Sequence, residues 1–279
     1  MTPIYTQLIE KVLKQLEEGI LPWRRAFNIV AKSNSTKQPY SLLNQILLDT
    51  PGTYWTYKQI EDKGYRIRKG AKAKYCLFWK LLRVEDKVDK DKTNSIPYLR
   101  HYKVFHESDV DGLEVPEVIE PEADYDKAEE IIFNYLVQNP ELRFSEKSHT
   151  LSPPGYSPRY DHVHVHEKSQ FDCVGEYYST IFHELIHSTG HKSRLGRLAE
   201  DAADHNKDEY SVEELVAEIG AAMLCAKCNI KSVEENAIAY CAGWASKLKE
   251  NKSWLQTAAS RAAEAIDYLL IGMEEDEDA

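Results

Sequence analysis

FHELIHSTGH, running from Phe182 to His191, contains the spacing H-E-x-x-H at His183, Glu184 and His187. On a helix of 3.6 residues per turn, positions four apart are separated by about 40° around the axis, so both imidazoles face the same way. They can grip one metal ion, and Glu184 follows His183 closely enough to hold a water bound to that ion. Zinc with two histidines, a third protein ligand and one open position generates a hydrolytic nucleophile near neutral pH. Three fixed residues at this spacing arise by chance in roughly one chain in a hundred of this length. The plainer alternative is a buried helix with two hydrogen-bonded histidines and a surface glutamate.

The flanks predict a semi-buried helix from Asp172 to Ser188. Ile181, Leu185 and Ile186 supply its apolar positions, with Tyr177, Tyr178 and Phe182 above them. Gly190 is a natural helix stop. Glu184 lies among large hydrophobes and would be costly to bury without a cationic or metal partner.

A third ligand is sought downstream in SVEELVAEIGAAML, Ser211 to Leu224. Ser211 can cap this helix, with Glu214 at the third position as in a capping box, so Glu213 and Glu214 also read as ordinary helix-start chemistry. Glu214 and Glu218 nevertheless share a face with Ala217, Ala221 and Ala222, where small side chains permit close packing against another helix. Two carboxylates there would repel each other unless something positive stands opposite. Glu214 is therefore the expected third ligand, with Glu218 orienting a metal-bound imidazole from behind. His191 is the rival ligand, although Gly190 turns it away from the helix.

The 279 residues suit one large domain or two moderate ones. No apolar run is long enough to span a membrane, and the amphipathic N-terminus carries acids where a signal peptide would be apolar. The five cysteines have no framework spacing, and Cys225 and Cys228 read as core residues of an apolar helix. A reducing, cytoplasmic location fits. Charge divides unevenly: residues 1–118 hold 20 Lys+Arg against 15 Asp+Glu, whereas residues 119–279 hold 15 against 31. That asymmetry points to two domains with different partners.

The expected class is α+β, with a small mixed domain over residues 1–114 and an acidic, Pro-containing linker over 115–124. A mainly helical domain with a short sheet follows over 125–273, then an acidic tail over 274–279. In the first domain, helices are expected at Ile4–Glu18, Ser41–Asp49 and Thr56–Asp62, with LPWRRAF as a loop. Strands Tyr75–Val84 and Leu99–Phe105 flank the charged loop EDKVDKDKTNS. In the second, helices are expected at Tyr125–Gln138, Ser232–Lys249 and Ser253–Gly272, and strands near Leu142–Ser145 and Arg159–Val165. His162, His164 and His166 alternate on the last strand. They can share a metal, but an exposed edge strand is the plainer account.

Between Tyr54 and Arg83 lie nine Lys/Arg against Glu61 and Asp62. Trp55, Tyr57 and Trp79, with Tyr54, Tyr65, Tyr75 and Phe78, are interleaved with Lys58, Arg66, Arg68, Lys69, Lys72, Lys74 and Lys80. Rings that stack bases beside cations that follow phosphate are what an unpaired nucleic acid strand needs. An aromatic core ringed by solvated lysines gives the same pattern.

The chain resembles the ArdC-type antirestriction proteins of plasmids and other mobile elements over nearly its whole length. LPWRR, the Lys37–Tyr40 run, TYKQIEDKGYRIRKG, LFWK and RHYKVF look like their single-stranded DNA-binding domain. YYSTIFHELIHSTGHKSRL and EELVAEIGAAML are similar to their zincin metallopeptidase domain, with Ser188 replacing the usual aromatic after the second motif histidine. The resemblance implies metal binding by His183 and His187, a general base at Glu184, and a third ligand from the EELVAE helix, in agreement with Glu214. It implies one zinc ion, other divalent metals being alternatives, a protein or peptide substrate, and single-stranded DNA as partner. It draws Trp23, Arg24 and Tyr40 into the candidate DNA contacts. The expected function is a DNA-associated metallopeptidase that protects incoming DNA. The alternative is a DNA-binding protector with a structural or vestigial metal site.

Overall fold

The computed structural model describes residues 3–27, 30–85, 93–113, 122–148, 152–198, 207–231 and 237–273. The expected linker lies mostly outside them, as do much of the EDKVDKDKTNS loop and the acidic tail. Contacts divide the chain into two compact units, residues 1–15 with 29–118 and residues 16–28 with 119–279. No helix among the described residues is long and apolar enough to cross a membrane.

The first unit is built on a four-stranded sheet. Its members are β1 (Ala31–Ser33), β2 (Gly52–Trp55), β4 (Lys74–Glu85) and β5 (Thr93–His106), ordered β1-β2-β5-β4. β1 and β2 run parallel, and β5 is antiparallel to both its neighbours. A two-residue pairing, β3 (Arg66–Ile67) with β6 (Val110–Asp111), closes one end. Ala31, Leu48, Tyr54, Cys76 and Val104 form a core cluster. α1 (Pro3–Glu17) buries Ile4, Tyr5, Leu8, Ile9, Val12 and Leu16 along one stripe, the helical period read in the sequence. α3 (Leu42–Leu48) lies along β4, the outer strand of the sheet. Its Asn44 covers that edge: the side-chain amide donates to the Leu77 carbonyl at 2.9 Å and accepts from the Leu77 amide at 2.7 Å. α4 (Tyr57–Asp62) starts at a capping box in which Thr56 and Gln59 satisfy each other's backbone amides.

The second unit begins with α2 (Pro22–Phe27), where a loop had been expected. Pro22 occupies the first helical position, where its missing N–H costs nothing. Trp23 is fully buried and meets the Trp244 ring edge-on at a centroid distance of 6.0 Å. Buried apolar contact of this kind groups residues 16–28 with the second unit, although they lie within the stretch 1–114 expected as the first domain. α5 (Tyr125–Gln138) is capped by Asp124, whose carboxylate accepts from the Lys127 amide at 2.9 Å. A three-stranded sheet follows, β7 (Arg143–Lys147), β8 (Gly155–Ser157) and β9 (His162–His166), in the order β7-β9-β8. β9 is thus the central strand, parallel to β7 and antiparallel to β8, not an exposed edge. Val163 and Val165 are buried, while His162, His164 and His166 spend a ring nitrogen on Ser145, Pro153 and Ser152.

Four helices complete the unit: α6 (Val174–Thr189), α7 (Lys207–Lys227), α8 (Ala237–Glu250) and α9 (Trp254–Leu269). α6 packs on β9, α7 and α9. α7 begins at Lys207, so Ser211 lies a full turn inside it and is no N-cap. The expected capping box is absent because the preceding turn is already helical. α6 and α7 meet at Gly220, where a Cβ would stand 2.8 Å from Ile186 Cδ1 and Cγ1. Close approach to α6 is shown at Gly220, whereas Ala221 and Ala222, expected on the packed face, line the cavity beside Glu218. Gly220→Val should lower stability by about 1–3 kcal/mol through overpacking, measured by urea unfolding, and should weaken metal uptake at the same time. A variant as stable as the parent would show that the helices can separate freely here.

Candidate metal centre

His183 and His187 stand one turn apart on α6, and Glu214 faces them from α7. The two Nε2 atoms are 3.1 Å apart. Glu214 places Oε2 at 3.7 Å from His183 Nε2 and Oε1 at 3.5 Å from His187 Nε2. One ligand atom from each of the three residues falls within 4.8 Å of the others. Two ring nitrogens pointed at one another beside a carboxylate need a cation or protons among them, so the donor set fits a divalent metal. Burial opposes ionisation of Glu214. The close approach of His183 and the charges of both imidazoles outweigh it and take its pKa down to about 2. Burial likewise opposes charge on His183, but Glu214, Glu184 and Glu218 together raise its pKa above the usual histidine value.

Glu184 is 7% exposed and lines a cavity of about 300 Å³ together with His183, Thr180, Ser179 and Glu218. The aromatic and aliphatic residues around it are buried as the sequence implied: Tyr178, Ile181, Phe182, Leu185 and Ile186. Ser188 is buried and meets the Tyr135 hydroxyl at 2.9 Å. α6 ends at Thr189 with Gly190 as its C-cap at φ −77. Gly190 serves room, not a left-handed turn, since a Cβ would meet Leu198 Cγ at 2.9 Å. His191 turns away after it. Its Nδ1 lies 2.7 Å from Ser193 Oγ and 3.9 Å from Asp161 Oδ2, outside the three-residue group. The same loop is pinned by Arg194, which holds Asp161 through both terminal nitrogens and donates to the Ser188 carbonyl at 2.7 Å.

The residue beside the ring of a candidate ligand is Glu213, with Oε1 3.5 Å from His187 Nδ1. Arg197 grips Glu213 through two hydrogen bonds of 3.1 and 2.9 Å, and both side chains are only 6% exposed. Burial would raise the Glu213 pKa, but His187 and Arg197 hold it below the ordinary carboxylate value. Glu218, expected in this orienting role, acts on His183 through its charge while its carboxylate is engaged by other partners. Its carboxylate accepts from the Tyr240 hydroxyl at 2.8 Å and lies 3.4 Å from Arg24 Nη2. The periodicity of α7 explains the exchange: Glu218 lies one turn beyond Glu214 along the helix axis, whereas Glu213 flanks the same histidine pair. In the sequence Glu213 also reads as helix-start chemistry, which ranks it behind Glu214 and His191 as a ligand. Arg197, Tyr210 and Tyr240 carried no motif signal at all. Tyr210 sits one turn before Glu214 and hydrogen-bonds to it, and burial together with that carboxylate pushes the phenol up to about 12.

In the first unit the candidate DNA contacts separate by exposure. Tyr57 is 61% exposed, and Lys58, Arg66, Arg68, Lys69 and Lys72 are exposed around it. Arg68 donates to Asp111 at 2.8 Å. Trp55 is half-buried against Tyr65, with Lys37 over its ring. Tyr40 packs on the core cluster. Lys74 is turned inward, bonded to the Leu48 carbonyl, to Thr50 Oγ1 at 2.8 Å and to the Tyr54 hydroxyl at 3.3 Å. Burial lowers its pKa. The Trp79 side chain lies outside the described residues. Trp23 and Arg24 belong to the second unit, one buried and the other on the cavity wall. Phe78, 48% exposed, stands opposite exposed Arg100 in the β4–β5 register, and Tyr102 is 37% exposed. Arg100 and Tyr102 were not singled out, since a strand's outward face is invisible until its register is known.

Residues 2–105 match the model of the N-terminal domain of the anti-restriction factor ArdC, and residues 140–261 that of a zincin-like metallopeptidase. The chain therefore pairs an ArdC-type N-terminal domain with a zincin-like metallopeptidase domain. The antirestriction ArdC protein of plasmid R388 shares its fold. The Mn(II)-bound crystal structure matches at 26% identity with a TM-score of 0.74, covering 98% of this chain and 100% of that one. The metal-free structure matches with a TM-score of 0.72 over 96% and 97%. An uncharacterized protein, y4eC of Sinorhizobium fredii, is 27% identical over 96% of this chain and 92% of its own length. Two Escherichia coli proteins called DNA primase TraC are each 26% identical over 96% of this chain, which spans only 27% and 20% of their lengths.

If Glu213 fixes the His187 ring, Glu213→Gln should weaken divalent metal affinity by about 10–100-fold, read by calorimetric titration with zinc and manganese. Unchanged affinity would make the Glu213–Arg197 pair a purely structural clip.

Proposed function

We propose that this chain is a single-stranded DNA-binding metallopeptidase that acts in antirestriction. What carries the peptidase half is one observation: His183, His187 and Glu214 converge while buried Glu184, on the same helix, lines the adjoining cavity. His183, His187 and Glu214 would hold a single divalent ion, zinc first by ligand chemistry. Bound there, the ion supplies Lewis acidity and a nucleophile that ionises near neutral pH. Glu184 takes the proton from the attacking water. It then delivers that proton to the amine nitrogen as the peptide C–N bond breaks. Glu213, clamped by Arg197, keeps His187 in one tautomer and orientation. Glu214 stays ionised across the working pH range.

The DNA half rests on the ArdC-type first unit and on its surface chemistry. Tyr57, Phe78 and Tyr102 offer rings to bases, and Lys58, Arg66, Lys69 and Lys72 offer charge to phosphates. Lys74 is assigned to the fold, because its ammonium is spent on Leu48 and Thr50. The chain would bring the peptidase to proteins on unpaired DNA.

Two measurements test the two halves. Glu184→Gln should bind metal with unchanged stoichiometry and lose cleavage by at least about a hundredfold, the low end for a general base. Cleavage equal to the parent would remove Glu184 from the mechanism. Replacing Lys69 and Lys72 together with alanine should weaken labelled oligothymidylate about tenfold at low salt and flatten the salt dependence, read by fluorescence anisotropy. Absence of any binding by the parent at low salt would remove the DNA half. Protection of incoming DNA by Glu184→Gln as full as the parent's would leave protection to the DNA-binding unit alone.

A further inference from the structure

The sheet of the second unit has one face toward α6 and one turned outward. Burial along β9 alternates: Val163 and Val165 are covered, while His162, His164 and His166 are half-buried. The register sets their neighbours. Arg143, Ser145 and Lys147 on β7 pair with His162, His164 and His166, and Gly155 and Ser157 on β8 pair with His164 and His162. Side chains alternate along a strand and register partners share a face, so these residues form the outward side together. Ser145 Oγ meets His162 Nε2 across it at 2.8 Å.

None of these outward positions carries a carboxylate. Glu146 lies on the opposite face, where it accepts from the Tyr177 hydroxyl of α6. Asp161, just before β9, is held by Arg194. Arg143 and Lys147 are exposed and make no ion pair among the described residues. Arg143 donates instead to the Tyr160 carbonyl, at 3.2 Å from Nε and 2.8 Å from Nη2. His162 registers the crowding of cations: burial first, then Arg143, Lys147 and His164, lower its pKa. An ordinary solvated face mixes the two signs. This one does not, although residues 119–279 hold 15 basic against 31 acidic residues.

At the end of the face stands Tyr160, 61% exposed. The guanidinium carbons of Arg143 and Arg159 lie 6.0 and 5.9 Å from its ring centroid. Bases stack on exposed rings and on guanidinium planes, while neighbouring cations meet phosphates. Arg143 and Lys147 are four residues apart on β7, about 13 Å along the strand, so they reach two different phosphates. An acidic peptide would use the charges and leave the ring without a planar partner.

We propose that this outward face, with Tyr160 at its end, is a second nucleic-acid contact that holds the phosphate backbone of a single strand and stacks a base on Tyr160. It is separate from the first unit's contacts, and it does not depend on the peptidase reading. β9 carries the face on one side and supports α6 on the other, so a strand bound here is fixed relative to the metal centre. The link is short: Ser152 and Pro153, whose carbonyls meet the rings of His166 and His164, lead directly to Pro154 on the cavity wall.

The test uses the full chain and a labelled oligothymidylate of about 20 nucleotides, longer than one binding site. Arg143→Gln with Lys147→Gln should weaken it about tenfold at low salt. The slope of log affinity against log salt should fall by about 1.4, the value for two phosphates on a single strand. With iodouracil in the strand, irradiation should attach a nucleotide to Tyr160, located by mass spectrometry of the digest. Arg143 also holds the Tyr160 carbonyl, so Lys147→Gln alone repeats the measurement with that bond intact and should lower the slope by about 0.7. Thermal melting checks the fold of each variant. If replacing Lys69 and Lys72 weakens binding and replacing Arg143 and Lys147 does not, the face is overturned and the first unit's DNA contacts stand. Adducts confined to residues 1–118 would have the same meaning. Polyglutamate bound through Arg143 and Lys147, with oligothymidylate binding unchanged, would give the face to an acidic protein and overturn the proposal. A parent chain that binds no oligothymidylate at low salt would remove both contacts.

Discussion

The close approach of α6 and α7 is the constraint on which the second unit depends. Neither helix carries a complete metal site. His183 and His187 can share an ion only if a carboxylate comes within a few ångströms, and Glu214 does so because Gly220 lets Ile186 press against the α7 backbone. A glycine inside a helix costs about 1 kcal/mol relative to alanine. Here the cost is offset by contact that a side chain would prevent. The sheet fixes the other side of α6. Val163 and Val165 on the central strand β9 form the buried face beneath it, and Arg194 ties the loop after α6 to Asp161 at the start of that strand.

Much of this was legible in the sequence, and what was not has identifiable causes. The motif helix, α5, and the strands around Cys76 and Val104 were read from period and spacing, because burial on one face writes itself into those patterns. The three candidate ligands were legible for the same reason: each lies at a spacing that only one face of a helix makes meaningful. α2 was read as a loop since six residues are too few to show a period, and its burial comes from a distant partner, Trp244. β9 was read as an edge because alternating histidines look solvated. Nothing local reveals that Ser145, Ser152 and Pro153 arrive from both sides to bond them.

Composition misled where burial decides the role of a charge. Lys72 and Lys74 are two residues apart in a basic run, yet Lys72 is exposed and Lys74 is bonded to the Leu48 carbonyl and the Thr50 and Tyr54 hydroxyls. The resemblance draws Arg24 and Trp23 into the candidate DNA contacts. Both instead belong to the second unit, and the ring is dry. A basic stretch is thus a surface only after the strand pleat and the core have taken their share of it.

The four glutamates near the metal centre carry this point into chemistry. Glu184, Glu213, Glu214 and Glu218 are the same side chain on two packed helices, and three of them are at least nine-tenths buried. Their partners separate them. Glu213 is matched by Arg197 with two bonds and is left with a single task, holding His187. Glu214 faces two imidazoles, so its charge is directed at whatever those imidazoles bind. Glu218 has the Tyr240 phenol on one side and the Arg24 guanidinium on the other. Glu184 faces the cavity beside them, where a carboxylate is placed to accept a proton. An H-E-x-x-H spacing names the first of these residues. The division of labour among all four is set by which cation, or which proton donor, the fold brings to each.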